Sequence, residues 1–329
     1  MPIHNLGYRP WDGTMESAQT RWTVITGIGV RRVWQSTWVR RIILLAWAPA
    51  VVMGLLIFLF EQAAQSQDPE AVEAFRVFVS VILSGSNIQQ AIQEMGAQQL
   101  LGLGNEPIPI EESRHLFWSS LLMVVLKRTQ LTLLVPMIGL IAPPLISQDI
   151  RSRAFLLYFS RPISQLQYII GKAVTVLLYL SLVTLLPAML LYITGVLLSP
   201  DLSIIRHTWD LPLRIIAAWL AIAVPTTSLA LMLSSMTTES RLASFAWFTI
   251  WIFGFVATEI VRGASSVIGG SVAIELFSLF HLIGSVCEWL LDLESSSTAD
   301  TQTRVIALCV LTCVSIAILF RRVSAPMKI

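Results

Sequence analysis

Six stretches of this chain are predominantly apolar, nearly free of charge and close to twenty residues long, and nothing else in the sequence constrains the fold as tightly. An α-helix rises about 1.5 Å per residue, so roughly 20 residues cross a hydrocarbon core of about 30 Å. The stretches lie at 42–60, 129–147, 173–198, 215–233, 242–260 and 304–320. Composition agrees: 55% of the 329 residues are hydrophobic and 13% are charged, about half the charged fraction of a soluble domain. Lipid must therefore replace water around much of the folded surface, and the prediction is an all-α polytopic membrane protein with six transmembrane helices. The first stretch follows 41 residues rich in Arg and Trp and precedes no small-residue cleavage site, which marks a retained helix and not a signal peptide.

Charge position sets the expected orientation. With the N-terminus in the cytoplasm, the segments 1–41, 148–172, 234–241 and 321–329 lie inside. They hold fourteen of the 22 Lys and Arg but only four of the 20 acids (Asp12, Glu16, Asp149 and Glu239), a net +10 against −8 for the remainder. The positive-inside rule then places both termini in the cytoplasm of a multi-pass protein of the cytoplasmic (inner) membrane. An overall charge of +2 offers no basic surface for nucleic acid.

Residues 264–291 are apolar enough for a seventh span, although Glu275, His281 and Glu288 interrupt them. A seventh span would put Arg321, Arg322 and Lys328 outside. The bias instead favours a re-entrant hairpin on the outer side before the last span, within the outer segment 261–303 and broken near Gly269-Gly270 and Gly284.

Ahead of the first span, helical spacing puts Val30, Val33, Trp34, Thr37 and Trp38 on one face. Arg31 and Arg32 leave that face, and Arg40 and Arg41 mark the membrane border. With Trp22, this is the pattern of an N-terminal interfacial helix, either a basic anchor or a docking surface for a cytoplasmic partner. The outer segment 61–128 is acidic and Gln-rich, with amphipathic patterns at 77–83 and 88–101 and a Pro-punctuated loop at 105–110. Lys127 and Arg128 close a further apolar stretch, 116–126; they sit at the outer interface or inside a longer helix facing a cavity. Glu259 and Arg262, three apart at the outer end of the fifth span, either line an exit or form an interfacial pair.

The cytoplasmic loop 148–172 stands apart from the rest. It is charged at both ends, but Ala154, Phe155, Leu156, Leu157, Tyr158 and Phe159 are too apolar for a solvated turn, and Ser160-Arg161-Pro162 then breaks the run. An apolar helix held below the membrane by basic ends needs a surface to dock against. The string Asp149-Ile-Arg-Ser-Arg-Ala-Phe-Leu-Leu-Tyr-Phe-Ser-Arg-Pro-Ile-Ser164, closed by Gly171-Lys172, resembles the loop of ABC-2-type transporter permeases. Asp149, Arg151, Arg153, Pro162, Ser164, Gly171 and Lys172 occupy the matching positions, while Ala154 and Phe155 stand where that family often has Gly and Thr.

The resemblance implies the membrane half of an ABC transporter, usually an exporter, in which this loop is a coupling helix seated on a separate ABC ATPase subunit. Phe155, Leu156, Leu157 and Tyr158 would be the buried anchor and Arg151, Arg153 and Arg161 the polar rim. It also implies a second permease copy or a paralogue, as homo- or heterodimer. No cofactor is expected on this chain: Gly171-Lys172 is followed by Ala173 with no Gly at 166, so it is no P-loop, and ATP and Mg would be bound by the partner subunit.

Other chemistries find little support. There is no H-E-x-x-H, the four histidines are scattered, and Gly263-Ala-Ser-Ser-Val is not G-x-S-x-G. Cys309 and Cys313, at i and i+4, read as small-residue helix packing and not as a metal site, and an odd set of 3 cysteines gives no disulfide framework. An importer permease should carry an E-A-A-x3-G loop, which is absent. A secondary transporter or channel without an ATPase partner is the alternative, but it should show repeats or charges deep in the spans. Pro136, Pro143, Pro144, Pro187 and Pro225 are expected to kink the spans.

Overall fold

The structure, a computed structural model, describes residues 20–66, 110–154, 163–199, 204–268, 276–293 and 301–324. Every regular element among them is a helix. Six are long and apolar enough to cross a membrane: Thr37–Gln62, Phe117–Arg151, Gln165–Leu198, Ile204–Met236, Ser240–Ala264 and Thr301–Ser324. The first, fifth and sixth have 24 to 26 residues and reach about 36–39 Å; the second, third and fourth have 33 to 35 and reach about 50 Å, beyond a core of about 30 Å.

The three long spans form the centre. The second and fourth are 73% and 61% buried over their most apolar windows, whereas the fifth and sixth are 17% and 22% buried. The peripheral spans turn Leu44, Val51, Phe245, Phe253, Ile306 and Val310 outward, as a lipid-facing surface requires. Aromatic side chains fill the centre. Phe60 stacks on Phe117 at 4.0 Å, and Trp247 Nε1 donates to the Val135 carbonyl at 2.9 Å. Gly139 and Gly195 leave room for Phe248 and Trp118, so helices approach through small residues as membrane helices commonly do.

Proline shapes two of the central spans in the same way. A π-turn at Gln130–Leu134 precedes Pro136, and another at Ser181–Leu185 precedes Pro187. A proline ring clashes with the carbonyl four residues back, and widening that turn by one residue relieves the clash without ending the helix.

Several boundaries differ from the sequence expectation. The second span runs through Lys127 and takes in the stretch 116–126 instead of starting at 129. The third starts at Gln165, not 173, and contains Lys172; helix is already formed from Leu211 in the fourth, which contains Arg214. In each case the cation that interrupts the apolar run is paired with an acid, Lys127 with Glu288, Lys172 with Asp149 and Arg214 with Asp210, so the helix continues through it. The amphipathic helix is shorter, Arg21–Trp34, and a turn at Gln35 and Ser36 separates it from the first span. Trp34 and Trp38 are exposed, and the buried face is Ile25, Thr26, Gly29 and Val33. The segments 77–83, 88–101 and 105–109 and the hairpin break at Gly269-Gly270 lie outside the described residues. Leu279–Leu290, with 12 residues, is an apolar helix too short to span.

Candidate functional site

The ends of the second and third spans meet at one end of the bundle, where the loop 152–164 leaves one and enters the other. Asp149 and Lys172 face each other there, Oδ2 to Nζ at 2.7 Å, with side chains 9% and 6% exposed. The Tyr168 hydroxyl donates to the same carboxylate oxygen at 2.7 Å, and the Lys172 ammonium lies 5.4 Å from the centre of the Tyr168 ring. One carboxylate thus neutralises the lysine and aligns the phenol, joining helices that the loop would otherwise leave independent.

The backbone on both sides of the loop is fixed as well. Ser164 starts the third span as N-cap of a capping box: the Gln167 amide donates to Ser164 Oγ at 3.2 Å and the Ser164 amide to Gln167 Oε1 at 3.1 Å. On the other side, Arg153 adopts φ +54° and turns the chain out of the helix ending at Arg151. Ser234 of the fourth span donates to the Pro143 carbonyl at 2.6 Å and accepts from the Ile146 and Ser147 amides, which holds the end of the second span from a third direction. Arg151 reaches Glu239 at 3.3 Å, an exposed pair that contributes little.

The amphipathic helix is clamped to the start of the third span. Gly171 lies so close that a Cβ there would stand 2.8 Å from Ile25 Cβ and 2.9 Å from the Trp22 carbonyl. Thr26 Oγ1 donates to the Gly171 carbonyl at 3.1 Å, and the Tyr179 hydroxyl to the Val30 carbonyl at 2.9 Å. Gly171 is therefore a contact point between helices. Arg31, Arg32, Arg40 and Arg41 remain exposed, and the Arg41 guanidinium sits 5.5 Å over the Trp38 ring.

At the opposite end, the short helix Leu279–Leu290 is tied to three neighbours. Lys127 Nζ meets Glu288 Oε1 at 2.7 Å, and His281 Nε2 meets Glu259 Oε1 at 2.9 Å. Arg214 bonds Asp210 at 2.7 Å, the Leu290 carbonyl at 3.1 Å and Asp292 at 3.4 Å, while His115 completes the cluster on Asp210 at 3.1 Å. Glu259 and Arg262 form the pair their spacing implied, at 3.7 Å and about half exposed. Lys127→Met, which strands Glu288 at 17% exposure, is expected to lower thermal stability in detergent by about 1–2 kcal/mol, less than for a wholly buried pair. Glu288→Gln added to it should recover most of that loss.

Phe155, Leu156, Leu157, Tyr158, Arg161 and Pro162 lie outside the described residues, as does the side chain of Arg128. Tyr168, Thr26, Gly29, Tyr179 and the Arg214 cluster were not singled out from sequence. Tyr168 had a legible signal, since it lies one helical turn before Lys172 on the same face. Arg214 and Asp292 are 78 residues apart in the chain, and no spacing rule pairs them. Among the described residues no group of three His, Cys, Asp or Glu is placed to hold a metal; Cys309 and Cys313 are exposed on the sixth span.

Six spans, three of them forming a buried centre, with two of these joined at the base of a short loop, define a multi-pass membrane protein. The family model for ABC-2 family transporter proteins matches residues 28–324, from within the amphipathic helix to the end of the sixth span. The chain belongs to that family and is an ABC transporter permease. No curated protein matches it.

Proposed function

We propose that this chain is the membrane subunit of an exporter, moving substrate outward by alternating access driven by a separate ABC ATPase subunit that binds ATP and Mg. The observation that carries this reading is the buried Asp149–Lys172–Tyr168 junction at the base of the loop. A docked loop does mechanical work only if its two ends cannot slide against each other. The junction, the capping box at Ser164 and the Ser234 contact make the ends of three spans one rigid piece. Displacement of Phe155, Leu156, Leu157 and Tyr158 by a closing ATPase then becomes rotation of those spans.

In this reading the loop end of the bundle, with Arg31, Arg32, Arg40 and Arg41, faces the cytoplasm of the inner membrane, and 264–291 is a re-entrant hairpin on the outer side. A second copy of the permease, or a paralogue, completes the pathway, as membership of the ABC-2 family implies. Co-purification with an ATPase subunit provides the test. Replacing Phe155, Leu156, Leu157 and Tyr158 by Ser, together with Pro162→Ala, is expected to abolish capture of that subunit and its stimulated ATPase while the permease stays folded. Retention of both would refute the coupling assignment.

A further inference from the structure

We infer that a cleft between the amphipathic helix and the second span binds one anionic phospholipid, with Arg32 as the ligand for its phosphate. The cleft has a volume of about 190 Å³ and two chemically distinct ends. Its polar lining, Arg32, Ser36 and Gln148, lies near the start of the first span and the end of the second, and its apolar lining, which includes Val39, Leu140 and Ile141, lies further into those spans. Val39 and Ile141 are each 1% exposed, whereas Leu140 is 45% exposed, so the apolar end opens on the lipid-facing side of the second span.

Charge argues for an anion at the polar end. Among the described residues no acid lies within ion-pair distance of Arg32, and the nearby acid, Asp149, is already paired with Lys172. Lys172 is close enough to Arg32 to feel its charge, and its own charge is met by Asp149, so neither group of that pair is left to neutralise Arg32. Ser36 and Gln148, which line the same cleft, carry a hydroxyl and an amide that can donate to the same anion.

Depth argues for a lipid as the source of the anion. The cleft lies where the first span begins and the second ends, so its polar end is at the level of the headgroups. The exposed Trp34 and Trp38 mark the same level, with Arg41 over the Trp38 ring. A cation set at headgroup depth beside an apolar opening fits a negatively charged head joined to an acyl chain. It fits neither a soluble anion, which gains nothing from Leu140, nor a purely apolar ligand, which would strand Arg32. The wall is also built, because the helix carrying Arg32 is clamped to the third span at Gly29 and Gly171. The inference does not depend on the ATPase partner.

Native mass spectrometry of the full-length protein in detergent, with phosphatidylglycerol or phosphatidylcholine added, tests it. The wild type is expected to retain one phosphatidylglycerol at least about fivefold more than phosphatidylcholine, and that lipid should raise Tm where inorganic phosphate does not. Arg32→Gln should lose the preference, as should Leu140→Trp, which fills the opening and leaves the charge in place. Arg31→Gln, the same charge change on a neighbour outside the cleft, should keep it. Equal retention of both lipids, an equal Tm rise with inorganic phosphate, or an unchanged preference in Arg32→Gln would each overturn the assignment.

Discussion

Asp149→Ala is expected to lower the stability of the purified protein by about 3–5 kcal/mol, seen as a large fall in Tm in detergent and in folded yield from the membrane. The substitution leaves the Lys172 ammonium only 6% exposed and removes its counter-ion. It also removes the acceptor of the Tyr168 hydroxyl at 2.7 Å. Combining Asp149→Leu with Lys172→Met should regain most of the stability, because an apolar pair of similar volume replaces a buried ion pair at little net cost. The double variant also separates energy from geometry. It restores burial but not the directional bonds at the base of the loop, so its ATPase stimulation should stay below that of the wild type. A wild-type Tm in Asp149→Ala would show that the pair contributes nothing to the fold.

The second large effect is expected from Gly171→Val, and two glycines at one helix crossing, with a third on the open face of the same helix, make it interpretable. A Cβ at Gly171 would stand 2.8 Å from Ile25 Cβ and 2.9 Å from the Trp22 carbonyl, and a backbone oxygen in a helix cannot step aside. The helices must separate, which strains the Thr26 bond to the Gly171 carbonyl and costs about 1–3 kcal/mol. At Gly29 the obstacle is the Thr175 side chain, Oγ1 at 2.6 Å and Cγ2 at 3.0 Å, with no backbone atom among the three nearest, so Gly29→Ala should cost less. Nothing lies within 4 Å of a Cβ at Gly27; Gly27→Ala should stabilise by up to about 1 kcal/mol, since a helix-interior glycine carries excess unfolded-state entropy. Thermal unfolding of the three variants should follow that order. Limited proteolysis should release the helix Arg21–Trp34 first in Gly171→Val.

Much of the fold was legible because a lipid solvent leaves few choices. Backbone polar groups in hydrocarbon must be paired within the segment, so an apolar run of about 20 residues has to be a helix, whatever its periodicity. The limits of the helices were less legible, for a reason that Lys127, Lys172 and Arg214 share. Each interrupts apolarity along the chain, and each is carried inside or at the edge of a span because Glu288, Asp149 or Asp210 meets it in space. Only the last of these pairs falls at helical spacing. Apolar spacing marks Trp34 and Trp38, which are exposed as an interfacial face requires; the opposite face, with Thr26 and Gly29, packs on the third span, and small residues of that kind carry little apolar signal.

By itself, then, the sequence determined the solvent and the number of spans, and it singled out the segment proposed to meet the partner. Each follows from local composition along the chain and requires no knowledge of neighbours. Tertiary structure alone decided that Asp149, Tyr168 and Lys172 lock the base of that segment, that Gly171 is a contact point between helices, and that Arg32 faces a cleft. Those properties depend on which helix stands beside which, and pairing across a bundle is set by shape and charge in three dimensions, where separation along the chain carries little information.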